Sequence, residues 1–557
     1  MKTPRSSHPW ATLALLLVLA TGPWLACGPT EERAADPATP EATRPDATPR
    51  RGGTLVIGAI SDIDGVNELI TGSSRVSDEV HFPMFLHLAD EQPDFAEHPP
   101  TFEPELAESW EWSEDHLDLT FHLREDAVWS DGHPITADDV RFTWQAQTHP
   151  DVAWPAAYFK EAIEDVEVVD PHTVVFHFSR ISPYQLLEAV EGVILPKHAW
   201  GKVPFSEWRA RADFFRENLV VSGPFTLERW TPQQEIVLVR NERYFEPDLP
   251  YLDRVVFRIL PERSNQVTQL LAGGIHVVDQ LSRSDVPRVR ASETAKIHSF
   301  WHRLYTFVAW NLDRPPFDER SVRQALTLAT DRQQIVETLW GKFGRVATSP
   351  IVQNVWAHDD SIEPWPHDPD RARRLLAEAG WEDRNGDGVL DREGQPFRFD
   401  LISNQGNQER IDTMVMIQEQ LRRIGVDARP RVVEFNAMLE MMDRRDFDAV
   451  VGGWGMPTTL DLRYAFHTDS ITRGNNSMGY SNPRVDALIE EMERLPDIAQ
   501  AEPILHELQQ IIHQDQPLTF LWESQRINGY HRRVHPHEPN GLSTFWFLRH
   551  WWLEPEE

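Results

Sequence analysis

Cysteine is nearly missing from this chain: Cys27 is the only one in 557 residues. A single thiol has no partner for a disulfide, so the residue asks for another role. Basic charge is also short. Lys and Arg number 54 against 88 Asp and Glu, a formal net charge of −34, which argues against a surface built to neutralise nucleic-acid phosphates. That excess keeps an exported protein soluble and says little about fold. Long apolar runs are lacking too. The stretch Ala11 to Ala20 is shorter than the roughly 20 residues that cross a bilayer as a helix, and no later run approaches that length. No short fixed period recurs, which argues against a solenoid or a propeller.

What is present begins with Lys2 and Arg5, the apolar stretch, and Trp24-Leu-Ala-Cys27, the pattern of a secretion signal over residues 1–26. The segment resembles a bacterial lipobox, in which the cysteine becomes the acylated first residue of the mature chain. Leu25 and Ala26 suit that pattern, while Trp24 stands where Leu is usual. The resemblance implies lipidation of Cys27 and anchorage to a membrane. Residues 28–50 contain no aromatic or branched aliphatic side chain, so they bury nothing and read, with Cys27, as a tether over 27–51. The body from Gly52 onward exceeds the roughly 250 to 300 residues at which single cores stop growing, so two or more lobes are expected. Its share of the 21 Trp reads mainly as core and rim packing, with ligand walls as the alternative.

Strand and helix signals divide the body. Thr54 to Ile60 is a buried-strand run, and Leu117, Leu119, Phe121 and Leu123 alternate with polar residues in the period of a strand with one wet face. Val174, Phe176 and Phe178 repeat that pattern, so this region reads as antiparallel sheet. Thr136-Ala-Asp-Asp139 has the form of a capping box. From about Ser321 helices and strands alternate. Asp368-Pro369 starts a helix that Gly380 ends, a second carries Met414, Ile417, Leu421 and Ile424 up to Gly425, and strands follow near Val426 to Val433 and Phe447 to Val451. Strand, helix, strand implies a parallel crossover, with ligands outside the carboxyl ends of the strands, near Gly452-Gly-Trp-Gly455.

Taken together, Gly52-Gly-Thr-Leu-Val-Ile-Gly58, Pro104-Glu-Leu-Ala-Glu-Ser-Trp110, the run Phe121 to Val140, Ser222-Gly-Pro-Phe225, Arg240-Asn-Glu-Arg-Tyr244, Val322-Arg-Gln-Ala-Leu326 with Asp331, and Gly479-Tyr-Ser-Asn-Pro483 resemble the extracytoplasmic solute-binding proteins of peptide and nickel type that feed ATP-binding cassette importers. The resemblance runs over nearly all of Gly52 to Leu553. It implies an α/β, two-lobe periplasmic-binding-protein-like clamshell of class II, cluster C type, with an extra antiparallel subdomain. Lobe I would comprise 52–82, 191–305 and 518–557, the subdomain 83–190, and lobe II 306–517. It also implies a monomer without cofactor or catalysis that hands a captured solute to permease subunits.

A secreted enzyme and a structural lipoprotein are the other classes. His506-Glu507 begins like a zinc-protease helix, but Gln510 takes the place of the second histidine. A thiol nucleophile has no candidate beside Cys27, and no glycine-flanked serine elbow occurs. His531, His535 and His537 sit in a basic, Pro-containing loop with Arg532 and Arg533, which disfavours a metal cluster. Asp383, Asn385, Asp387, the Val389 carbonyl and Asp391 have the spacing of a calcium loop with Gly388 at the turn, but Gly394 stands where the bidentate Glu belongs. A tight acidic turn is the expected outcome, with calcium the alternative.

For the ligand, the resemblance implies an acid shortly after the Gly-Trp strand end that pairs with a peptide α-amino group. Met456 to Thr459 contain none, and Asp461 is the nearest. Candidate substrate-binding residues are Trp454, to cover a peptide backbone or a sugar ring, Asn311, whose amide donates and accepts, Asp461, Arg463 as a carboxylate partner, and Tyr305. Peptide or a related amino compound is the leading ligand class. An oligosaccharide or other organic solute is the alternative, and a metal chelate or signal ligand follows.

Overall fold

The computed structural model describes residues 48–71, 74–537 and 539–555. The expected signal, Cys27 and most of the tether lie outside them. The architecture is organised by two strands far longer than the rest, Ala295–Trp310 and Leu518–His531. They pair antiparallel along nearly their whole length, from Ala295 opposite His531 to Ala309 opposite Leu518. On one flank of this ribbon the sheet continues through Ala449–Gly455, Arg398–Asn404 and Asp427–Val433. On the other it continues through Val277–Val278, Thr54–Ala59, Arg254–Ile259, Glu235–Arg240 and Phe225–Thr231. With Gly344–Val346 paired to Leu518–His531, eleven strands form one sheet that passes through both lobes of the clamshell.

The crossing is not uniform. Trp301 pairs with Gln525 and Tyr305 with Glu523, so His302, Arg303 and Leu304 oppose Ser524 alone. Extra residues in one strand bend it and raise its local twist, which sets the two halves of the sheet at an angle.

Beyond the crossing, burial follows a period of two with both faces covered. Phe307 and Ala309 join a core with Ile402, Val450 and Phe520, whereas Val308 and Trp310 join another with Leu401, Val451 and Leu521. Strands buried on both faces read as continuous apolar runs, as these do. Arg398–Asn404, Asp427–Val433 and Ala449–Gly455 are mutually parallel through Arg398–Asn404, as the alternation of helix and strand predicts. Pro430 falls on the outermost strand, where a missing N–H removes no needed ladder bond.

Caps fall where the sequence puts them. Helix Ala137–Thr148 opens with the Thr136/Asp139 capping box, and helix Pro369–Glu378 opens with the Asp368 side chain accepting the Arg371 N–H at 2.8 Å. Helix Gln408–Arg422 is followed by Gly425 at φ +83°, a left-handed turn that glycine adopts without strain. The antiparallel subdomain is a four-stranded sheet of Ala107–Trp112, Asp118–Leu123, Thr173–Phe178 and Ile163–Asp170 in that spatial order. Its inward Leu119, Phe121, Val174 and Phe176 share one core with Leu55, Ile57 and Phe257 of the large sheet. Among the described residues no helix is long and apolar enough to cross a membrane.

Candidate functional site

A cavity of about 1100 Å³ lies against the crossing strands and is lined from both halves of the sheet. One wall is the carboxyl end of Thr54–Ala59, helix Arg75–His81, the segment after Val277–Val278, and Arg526 of the long strand. The facing wall is Trp340, Glu409, helix Phe435–Asp443 with Met438, and the Gly452-Gly-Trp454 strand end. The bulge contributes His302 and Leu304.

The first wall carries charges already matched to one another. Arg526, with a side chain only 3% exposed, grips Asp279 with both guanidinium arms, its Nε lying 2.9 Å from the carboxylate. Arg75 bridges Asp279 at 3.1 Å and Glu79 at 2.6 Å, and the Thr544 hydroxyl donates to Asp279 at 2.9 Å. Burial pushes the Glu79 carboxyl up to about 8, against the pull of Arg75. Arg263 donates to the Gln280 carbonyl at 2.6 Å, and burial lowers its guanidinium.

The second wall is less satisfied. Glu409 stands in the first turn of helix Gln408–Arg422, burial raises its carboxyl, and its Oε2 has no hydrogen-bond partner within the protein. The same holds for Trp340 Nε1 and for His302 Nδ1. Burial holds the His302 ring neutral, pushed down to about 3, with Arg75 and Arg303 adding to the effect. All three atoms are themselves closed off from the cavity, so a ligand there meets these residues through their other atoms.

Trp454 lines this cavity, half-buried, with its ring 5.6 Å from Phe307 and 6.2 Å from Phe466. Two glycines precede it for steric reasons. A Cβ on Gly452 would lie 3.0 Å from the Phe307 ring, and one on Gly453 would collide with the guanidinium of buried Arg410.

The other four candidates stand elsewhere. Tyr305 is buried beside Phe307 and Phe520 and is absent from the cavity wall. Asn311 is fully buried, and its amide is consumed by the backbone: Nδ2 donates to the Arg445 and Phe447 carbonyls at 2.9 and 2.8 Å, and Oδ1 accepts from the Asp313 N–H. Asp461 accepts the Arg463 N–H at 2.8 Å in a local turn, and burial raises its carboxyl. Arg463 forks onto Glu493 at 2.5 and 2.8 Å. The bonds of Asn311, Asp461 and Arg463 serve the scaffold, and none of the four lines the cavity.

The metal candidates resolve differently. Asp383 accepts the Gly386 and Gly388 N–H groups, Asn385 accepts that of Asp387, and Asp387 that of Val389. The loop caps its own backbone, and Asp383, Asp387 and Asp391 do not gather their carboxylates within 4.8 Å of one another. His535 stacks on Trp552 at 3.8 Å, whereas His537 packs against His550 and His531 against His276, so these three histidines look to separate partners.

The cavity residues that sequence reading missed are Arg75, Glu79, Arg263, Asp279, His302, Glu409 and Arg526. None of them left a local signal: Arg526 stands in a mixed run with Glu523, Ser524, Gln525 and Asn528.

Residues 101–476 match the model of the bacterial extracellular solute-binding proteins, family 5. The chain is 32% identical to the oligopeptide-binding protein AppA of Bacillus subtilis over 91% of this chain and 92% of that one. It is 28% identical to the heme-binding protein A of Haemophilus influenzae over 77% and 81%. The solved structure of Bacillus subtilis AppA in complex with a nonapeptide superposes with a TM-score of 0.76 at 30% identity, covering 91% of this chain and all of that one.

Proposed function

The chain belongs to the bacterial extracellular solute-binding proteins of family 5, and from that premise we propose that it captures an oligopeptide between its two lobes, outside the cytoplasm, and delivers it to an ATP-binding cassette importer. The observation that carries the peptide reading is the cavity itself. At about 1100 Å³ it exceeds the usual range for small-molecule pockets, roughly 300 to 1,000 Å³. Its walls carry charges of both signs, which suits a zwitterionic chain better than a neutral sugar. Trp454 covers the peptide backbone. Glu409, a carboxylate on the cavity wall, is the group that receives the peptide ammonium, in place of the acid missing from Met456 to Thr459.

The rest of the reading rests on the leader's composition and, for the lipid and the lobes, on the resemblances given above. Residues 1–26 are a signal that is removed, Cys27 carries the lipid, and 27–51 tether the body to the membrane. Lobe I comprises 52–82, 191–305 and the part of 518–557 that follows the crossing at Glu523, with 83–190 as its subdomain; 306–517 form lobe II, with Leu518 to Trp522 packed into its cores. Incubating the purified chain with peptide and oligosaccharide mixtures, and identifying retained compounds by mass spectrometry, tests the function. Retention of peptides of several residues is expected; retention of oligosaccharides alone would overturn it.

A further inference from the structure

Outside the cavity, two histidines and a carboxylate from two elements meet where a turn of the antiparallel subdomain abuts helix Lys197–Trp200. Asp131 and His133 stand in the tight turn between the bridged residues Val128 and Pro134, and His198 stands in helix Lys197–Trp200. None of the three lines the cavity. Asp131 Oδ2 lies 2.8 Å from His198 Nε2 and 3.2 Å from His133 Nδ1. The two imidazoles stack with centroids 4.3 Å apart, and one ligand atom from each of the three residues falls within 4.8 Å of the others.

The surroundings hold this arrangement. Trp129 N–H bonds the His133 carbonyl and Gly132 N–H bonds the Trp129 carbonyl, both at 2.8 Å. Gly132 has φ +91°, and a Cβ there would press on the Arg243 guanidinium at 3.2 Å, so the turn requires glycine. The His133 N–H donates to Asp131 Oδ1 at 3.2 Å, which leaves Oδ2 turned to the rings. On the other side, Asp139 accepts the Lys197 N–H at 2.9 Å and the indole N–H of fully buried Trp129, tying the helix of His198 to the turn of His133.

We infer that Asp131, His133 and His198 form a binding site for a divalent transition-metal ion of the zinc class, with water in the fourth position. Ligand atoms on one tetrahedral zinc stand about 3.3 Å apart, from bond lengths near 2.0 to 2.1 Å. The two contacts to Asp131 are already close to that, and the exposed His133 ring turns out of its stack on His198 to aim both imidazole lone pairs at one ion. Two imidazoles and a carboxylate suit zinc and its neighbours, whereas calcium and magnesium take oxygen ligands. Asp139 holds the two elements that carry the ligands against each other, without bonding a ligand ring itself.

Equilibrium dialysis and calorimetry with zinc chloride alone, at pH 7.5, test the site on the full chain. One ion per chain is expected, bound at least about tenfold more weakly by both His133→Ala and His198→Gln, with peptide binding unchanged in both. His133 is exposed, so its variant retains the fold. Cobalt(II) should give visible absorption bands in the parent that His133→Ala loses. Absence of saturable zinc binding by the parent, or equal affinity in parent and both variants, would overturn the assignment.

Discussion

Replacing Trp454 with alanine is expected to weaken peptide binding by about 2 kcal/mol or more, the scale of a buried aromatic anchor, while the empty chain stays folded. Calorimetric titration of parent and variant decides it, and equal affinities would make Trp454 scaffold. Glu409→Gln should cost affinity for peptides with an unmodified amino terminus and leave N-acetylated peptides little changed; an equal loss for both would remove Glu409 from that role. The place of Trp454 beside the cavity was legible because it stands at the carboxyl end of a strand in a parallel crossover, where ligands bind in open α/β sheets. Its partners on the opposite wall were not. Arg75 and Glu79 are four positions apart on a helix, the spacing of an ordinary surface pair. Arg526 is satisfied by Asp279, 247 positions away, which no local pattern reveals. Asn311 misled for the converse reason: its amide is versatile, but the carbonyls that use it come from Arg445 and Phe447.

Among the elements, the long strands carry the account. Glu523 stands at their bulge, wholly buried, accepting from Arg345 at 2.6 and 2.8 Å and from the Gln353 N–H. Burial pushes its carboxyl up to about 7 despite Arg345. Because the folded value lies above the unfolded one, its stabilising contribution is complete below about 4.5 and is lost as pH rises through 7. Denaturant titrations between pH 5 and 8 should therefore show the parent losing stability relative to Glu523→Gln as pH rises; a constant difference would contradict this. The strands themselves were only half legible. Thr306 to Asn311 and the stretch from Pro517 to Glu523 are apolar runs, but the halves toward Ala295 and His531 are mixed in polarity and carry no clear period. No strand is legible there, and the structure shows continuous strands over Ala295–Trp310 and Leu518–His531. The parallel crossovers were legible because helix caps and buried-strand runs agree over each segment.

For the whole molecule, two lobes joined by a bulged ribbon can swing as rigid bodies, and a ligand shifts them only through contacts that the closed form makes better. Small-angle scattering should give a smaller radius of gyration with bound peptide than without; identical profiles would argue for a cleft that does not close. Cys27→Ser should abolish fatty-acid labelling and leave peptide affinity unchanged, because the tether adds nothing to the core, and undiminished labelling would place the lipid elsewhere. The most direct test of peptide capture is thermal unfolding of the purified chain with peptides and with neutral oligosaccharides, each series titrated to saturation. A bound ligand at a hundred times its Kd stabilises the native state by about 2.7 kcal/mol. The account predicts a saturable rise in Tm with peptides of several residues and none with the sugars. A rise with the sugars and none with any peptide would contradict it.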